Sequence, residues 1–333
     1  MALDRNRHDT LNFKFFKRFG PSAGLFDVHV FRGFPDVAQG RVALTIGNFD
    51  GVHRGHQAML SRLVEAAEDL GLPPSVLTFE PHPREFFARE GAPPRLSSLR
   101  GKLEQFAAHG VAQAFIARFD HRLASLSADE FVDSVLVRSL GARWVLVGDD
   151  FRFGRGRSGN LALLRARATS FSIETMPTVC VDGERASSSA VRRALAAGEL
   201  EHAAQLLGRP YAISGRVAHG EKRGRGLGFP TANIALRHKP ALAGIFAVRV
   251  LGLSAAPRTG VASLGVRPTI RADDKPLLEV FVFDFDETIY GRRVTVQFLH
   301  KLRDEERYPD LDTLTRQIRD DVARARDYFA AHG

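Results

Sequence analysis

The sequence predicts an α/β chain of two folded units: a parallel sheet flanked by helices, then a small antiparallel β-barrel closed by a helix. Three observations predict this. From Val28 to about residue 205, apolar strand-like runs alternate with amphipathic helical ones. Beyond Leu207–Pro210, short β-rich runs are broken by Gly and Pro. The last long run, residues 311–332, has helical spacing throughout. A length of 333 residues suits two domains of ordinary size. We therefore expect a first domain over 28–206 and a second over 207–333. Residues 1–27 mix charge with Phe and read as a poorly ordered extension.

The elements follow in order. "VHVFRGFP" from Val28 reads as a first strand and "RVALTIG" as the next. "HQAMLSRLVEAAEDLGLPP" repeats apolar positions at helical spacing and stops at Gly71 and Pro73. "SVLTFEPHP" is a strand, "LRGKLEQFAAHG" a helix closed by Gly110, and "VAQAFIARF" a strand. "SADEFVDSVLVRSLGA" opens on Ser127 with Glu130 three residues later, a capping box that begins a helix. "RWVLVGDDFRFG" is a strand ending in a Gly-rich turn. The second domain carries five β runs: "YAISGRVAHG", "GIFAVRVLGL", "GVASLGV", "LLEVFVFDF" and "RRVTVQFLHKL".

Hydrophobic residues make up 44% and charged residues 26%, the balance of a globular chain with a sizeable core. No apolar run approaches the roughly 20 residues that span a bilayer, so no membrane partner is expected. One cysteine, Cys180, leaves no internal disulfide and suits a reducing cytoplasm. The net charge of +9 is spread along the chain and interleaved with acids. That suits small polyphosphate ligands better than a nucleic-acid duplex, and no nucleic-acid motif is present.

"TIGNFDGVHRGHQAML", Thr45–Leu60, places His53 and His56 around Gly55 where a strand gives way to a helix. Helix N-termini beyond the carboxyl ends of parallel strands offer free N–H groups to phosphate. Gly55 lets a phosphate approach the backbone, and two imidazoles can donate to charge that develops at phosphorus. A pair of zinc ligands is the competing reading, but the HExxH pattern is absent. Arg185, Ser188 and Arg192 are phosphate candidates by charge and hydroxyl chemistry, beside an N-cap role for the serines. In the second domain Gly215, Gly220, Gly224, Gly226 and Gly228, with Lys222, Arg223 and Arg225, form a flexible basic stretch suited to a polyphosphate. Thr231 and Asn233 in "PTAN" then supply two oxygens that suit Mg2+, although the tetrapeptide alone reads as a turn.

Gly47–His56 resembles the HxGH signature of nucleotidyltransferases, specifically the adenylyltransferase module of bifunctional prokaryotic riboflavin kinase/FAD synthetases. "FEPHPREFF", "VGDDFRFGRGRSGN" and "RASSSAVRRAL" follow in the same order as that module's other motifs. The Gly-rich stretch with "PTAN", "ASLGVRPTI" and "LLEVFVFDFDETIYGRRV" resemble the riboflavin kinase module. Ser189, Asp150 and Ser263 stand where the family commonly has threonine, asparagine and asparagine. The resemblance implies a Rossmann-like nucleotidyltransferase domain and a riboflavin kinase-like barrel. It also implies two ATP-dependent reactions, riboflavin to FMN and FMN to FAD. Catalytic roles would fall to His53, His56 and Glu279, the last taking the ribityl hydroxyl proton. Nucleotide would be held by Gly47, Asn48, Phe49, Asp50, Gly55, Asp150, Arg185, Ser187, Ser188 and Arg192, with Gly215, Gly220, Gly226 and Gly228 in the barrel. Flavin would meet His82, Phe151, Phe153 and Arg303, and Mg2+ would sit on Thr231 and Asn233. The partners are then ATP, riboflavin and FMN, in a monomer or weak homo-oligomer. Because the resemblance begins near Val28, translation is expected to start downstream of Met1. Competing readings are a chain with one live module and a non-catalytic flavin- or RNA-binding protein.

Overall fold

The computed structural model describes residues 10–16, 25–88, 91–219, 229–265 and 276–332. The chain divides into two compact units, Met1–Pro93 with Leu99–Ala186 and Pro94–Ser98 with Ser187–Gly333.

The first unit begins with β1 (Thr10–Phe16) and β2 (Leu25–Arg32), paired antiparallel. Part of the segment read as a poorly ordered extension is thus a strand. Leu11, Phe13 and Phe15 alternate with Asn12 and Lys14, the period-two pattern of a β-edge. β3 (Val42–Ile46) is buried along its whole length and leads to α1 (Arg54–Leu70). β4 (Pro74–Glu80), α2 (Pro83–Phe87), α3 (Leu99–Ala108) and β5 (Gln113–Arg118) follow.

After α4 (His121–Ser125) comes α5 (Ala128–Glu130), opened by the expected Ser127–Glu130 capping box. From Phe131 to Ser139 the turns widen into a π-helix, where the sequence predicts an α-helix. β6 (Ala142–Gly148), α6 (Leu161–Arg167) and β7 (Ser172–Met176) complete the sheet. A small hairpin, β8 (Cys180–Val181) and β9 (Glu184–Arg185), turns at Asp182 and Gly183, both at positive φ.

The sheet order is β1-β2-β5-β4-β3-β6-β7, and every pair except β1–β2 is parallel. The order reverses between β3 and β6, a topological switch point where doubly wound sheets bind ligands. One core cluster joins α1 and α3 to the sheet through Leu60, Leu63, Phe106 and Trp144. A second cluster gathers Phe131, Leu136, Leu164 and Phe171 with Leu44 and Val145.

The second unit opens with α7 (Ser188–Ala197) and α8 (Leu200–Leu207). Its six antiparallel strands are β10 (Ala212–Arg216), β11 (Thr231–Ala235), β12 (Gly244–Leu251), β13 (Arg258–Gly265), β14 (Leu277–Val282) and β15 (Arg293–Arg303). They run β10-β15-β12-β13-β14-β11. The barrel closes where the Ala218 N–H donates to Asn233 O at 2.8 Å, just beyond the end of β10. A Cβ on Gly215 would lie 2.2 Å from Ile234 Cγ2, so this seam requires glycine. α9 (Leu311–His332) packs Val322, Ala325, Tyr328 and Phe329 over Ala247, Val261 and Leu302.

Candidate active sites

At the switch point, β3 ends and Gly47 N–H donates to Leu77 O at 3.0 Å. The chain then turns through Phe49 and Val52, both non-glycine residues at positive φ, and through Gly51. For the β-branched Val52 this conformation is strained, and it persists because Val52 is fully buried and tied at both backbone groups. Its N–H donates to Phe49 O at 3.3 Å, and Gln57 Nε2 donates to its carbonyl at 2.9 Å. The turn delivers His53 to the N-cap of α1, and the first turn of that helix holds no acidic residue.

His53 and His56 stack with ring centroids 3.7 Å apart. Phe49 lies against His56 at 4.9 Å and edge-on to Phe106 at 5.3 Å. Phe49 is fully buried, so it sets the plane of His56 as part of the core. Gly55 is glycine for a local reason: a Cβ would come within 3.2 Å of the His53 ring and 3.3 Å of Ala186 O. Burial first, then the charges of His53 and Lys102, hold His56 well below the usual imidazole range, so the ring is neutral at pH 7. Asn48 Oδ1 and His56 Nδ1 are buried without a hydrogen-bond partner. Buried polar atoms are ordinarily bonded, so orphans gathered at a helix N-terminus mark where a ligand supplies the partner.

Asp150, on the turn after β6, meets Arg185 of β9 at the surface, with Nη2 donating to Oδ2 at 2.7 Å. His82 caps α2: its Nδ1 accepts from Arg84 N–H at 3.0 Å, and Glu85 returns a bond to the His82 backbone. Phe153 is buried in the core, stacked at 5.4 Å on the half-buried Phe151. Neither ring shows a broad open face, whereas Phe87 is 70% exposed and rests on Phe119 at 5.7 Å. Sequence reasoning missed this aromatic platform, although the doubled Phe86-Phe87 after "EPHPRE" was its signal.

In the second unit, Ser187 caps α7 by accepting from Ala190 N–H at 3.1 Å. Ser188 opens that helix, and Arg192 donates to Pro94 O at 2.6 Å. On the barrel, strand register lines up Asn233, Glu279, Ser263, Ile245 and Arg303 across five strands. Directly opposed residues share a face with Cβ atoms roughly 5 Å apart, so Glu279 stands between Asn233 and Ser263. Asn233 Nδ2 donates to Thr231 O at 3.2 Å and lies 3.5 Å from Thr231 Oγ1. Its Oδ1 is buried and unpartnered. A hydroxyl beside an orphaned carbonyl oxygen fits a hard divalent cation.

Arg303 grips Asp321 of α9 with two bonds of 2.8 and 2.6 Å, and both side chains are almost wholly buried. That pair ties the row to the closing helix. Gly220, Gly226 and Gly228 lie outside the described residues. Among the described residues no helix is long and apolar enough to cross a membrane.

Comparison with known proteins matches both halves of the chain. Family models for FAD synthetase and riboflavin kinase match residues 36–190 and 207–329. The bifunctional riboflavin kinase/FMN adenylyltransferase of Escherichia coli strain K12 is 47% identical over 289 residues, covering 86% of this chain and 92% of that protein. Its counterpart in Pseudomonas fluorescens is 49% identical over 285 residues, covering 85% and 91%. A crystal structure described as a macrolide-efflux protein from Streptococcus pneumoniae aligns with a TM-score of 0.74 at 28% identity, covering 88% of this chain and 97% of that one. With both halves matched in order and nearly half of the aligned residues identical, the chain belongs to the bifunctional riboflavin kinase/FMN adenylyltransferase family.

Proposed function

We infer that this chain phosphorylates riboflavin with ATP to give FMN and then joins AMP from a second ATP to FMN, releasing FAD and pyrophosphate. The observation that carries this reading is the placing of the buried unpartnered atoms. Among the described residues they fall at the HxGH turn and at the PTAN strand.

In adenylyl transfer the nucleophile is an FMN phosphate oxygen, already anionic, which forms the new P–O bond as the bond to pyrophosphate breaks. No strong base is needed. A neutral His56 and the adjacent His53 donate to charge on the α-phosphate and the leaving group, while α1 directs its N-terminal N–H groups there. Gly47, Asn48, Asp50 and Gly55 shape the turn that receives the phosphates, and Phe49 holds His56 from behind. Asp150, Arg185, Ser187, Ser188 and Arg192 are proposed nucleotide contacts. Phe87 offers its face to the isoalloxazine ring beside His82 and Phe151, because a flat apolar ring gains most on an exposed aromatic surface.

In the kinase step the ribityl hydroxyl attacks the γ-phosphorus and ADP leaves. Glu279 accepts the hydroxyl proton. Thr231 and Asn233 would hold Mg2+, which neutralises phosphate charge when bound. Arg303 would support the flavin side of this row through its grip on α9. Gly215, Gly220, Gly226 and Gly228 would lie along the nucleotide.

The catalytic modules are proposed as residues 28–206 and 207–333, in a cytoplasmic monomer or weak homo-oligomer. The test is to supply riboflavin, ATP and Mg2+ to the pure protein and separate the flavins over time, with FMN plus ATP in a parallel reaction. FMN should rise first and FAD follow. Flavin binding without ATP turnover would overturn the reading.

A further inference from the structure

Glu305 follows Arg303 off the end of β15, and no step above uses it. Two contacts with β13 set its carboxylate. Ser263 Oγ donates to Oε1 at 3.2 Å. A Cβ on Gly265 would lie 1.8 Å from Oε2 and 2.2 Å from Oε1, so glycine at that position makes room for the carboxyl group itself. Ser263 and Gly265 are two apart on one strand and therefore share a face. Glu279 stands on the same face, because Ser263 pairs directly with it across β13 and β14. Two carboxylates thus lie on one side of the barrel, with the Ser263 hydroxyl bonded to the second. Beyond Glu279 in the same row comes Asn233, which is 7% exposed and whose Oδ1 has no partner. A buried orphan oxygen beside the pair marks the row as a place where a ligand completes the hydrogen bonding.

We propose that Glu305 is a substrate-binding residue of the kinase, its carboxylate accepting hydrogen bonds from the secondary hydroxyls of the ribityl chain while Glu279 receives the terminal one. The inference rests on the riboflavin kinase reading of this row. An ionised carboxylate only accepts, at roughly four sites, and Ser263 fills one of them. A polyol brings the donors that the remaining sites need. Among the described residues no three His, Cys, Asp or Glu side chains gather to hold a metal, so a hydroxyl-rich chain suits the two carboxylates better than a further cation does. Gripping the chain behind its reacting end also orders a flexible substrate before attack, which is where much of the barrier to a two-body step lies.

The test compares riboflavin with an analogue whose side chain is 5-hydroxypentyl, which keeps the terminal hydroxyl and lacks the secondary ones. The readouts are the KM for riboflavin and the inhibition constant of the analogue against riboflavin phosphorylation, in wild type and Glu305→Ala. Wild type should bind riboflavin about tenfold or more tightly than the analogue. In Glu305→Ala the riboflavin KM should rise about tenfold or more, the usual loss for a hydrogen bond to a charged group. The analogue's constant should move less than about twofold, since it has no hydroxyl to lose there. Adenylylation of added FMN by the same samples should not change.

A rise shared equally by riboflavin and the analogue would make Glu305 a structural tether and overturn the proposal. So would an unmoved riboflavin KM, or a wild type that does not tell the two ligands apart. Should Glu305→Ala fail to fold, Glu305→Gln keeps the size and exchanges a charged acceptor for a neutral one. Charge-assisted bonds are roughly twice as strong as neutral ones, so the preference for riboflavin should then shrink about threefold, and an unchanged preference would overturn the proposal. Failure of the underlying reading looks different: the wild type would then make no FMN from riboflavin and ATP.

Discussion

At the scale of single residues, the two sites differ in what the side chains supply. In the proposed roles, His53→Ala and His56→Ala would each remove a preorganised donor from the adenylyl-transfer step. Loss of one such donor lowers kcat by about 10²–10³-fold. FAD formation from FMN should fall by that order while FMN formation from riboflavin is unchanged, as stopped assays of each half-reaction will show. The role proposed for Glu279 is different, since an alcohol cannot attack phosphorus well without losing its proton. Glu279→Gln keeps the shape and removes the base, so riboflavin phosphorylation should fall by about 10²-fold or more while supplied FMN is still adenylylated.

These candidates could be picked out because each motif is contiguous in the chain. His53, Gly55 and His56 sit on one turn, and Thr231 and Asn233 on one strand. What could not be read was which candidates the core claims. Phe49 and Phe153 are buried, and Gly215 is needed by a barrel seam. Such facts depend on long-range packing, which local spacing does not encode.

At the scale of elements, the barrel depends on two tight devices. The first is the seam, where the missing side chain of Gly215 admits Ile234. Gly215→Ala should destabilise the protein by about 1–3 kcal/mol, the usual penalty for overpacking, read as a lower urea midpoint. The second is the clamp between β15 and α9. Asp321→Ala would leave Arg303, whose side chain is 14% exposed, as a buried unpaired charge. Removing one partner of such a pair costs about 3–5 kcal/mol. The kinase should therefore lose thermal stability sharply in this variant, and a shift no larger than that of an exposed pair would show that the clamp is not needed.

Strands and amphipathic helices were read correctly where apolar periodicity was strong, as in β3 and α1. β1 escaped notice because its alternation is short and lies in a charged segment. The π-turns after Phe131 leave no trace in the hydrophobic pattern, since a modest widening still presents Phe131, Val132, Val135 and Leu136 to the core.

At the scale of the whole molecule, each reaction's candidate base or donors lie within one compact unit, His53 and His56 in the first and Glu279 in the second. FMN links the two reactions as a small molecule, the product of one and substrate of the other. If FMN passes through solution, two inactive proteins should complement one another. His53→Ala retains the kinase and Glu279→Gln retains the adenylyltransferase, so neither alone makes FAD from riboflavin. Mixed together with riboflavin, ATP and Mg2+, they should make FAD after a lag during which free FMN accumulates. Raising the share of the His53→Ala protein should shorten that lag, because it sets the rate of FMN supply. If the mixture makes FMN but no FAD, although Glu279→Gln accepts added FMN, then transfer requires both activities in one chain. That result would replace a free intermediate with a retained one.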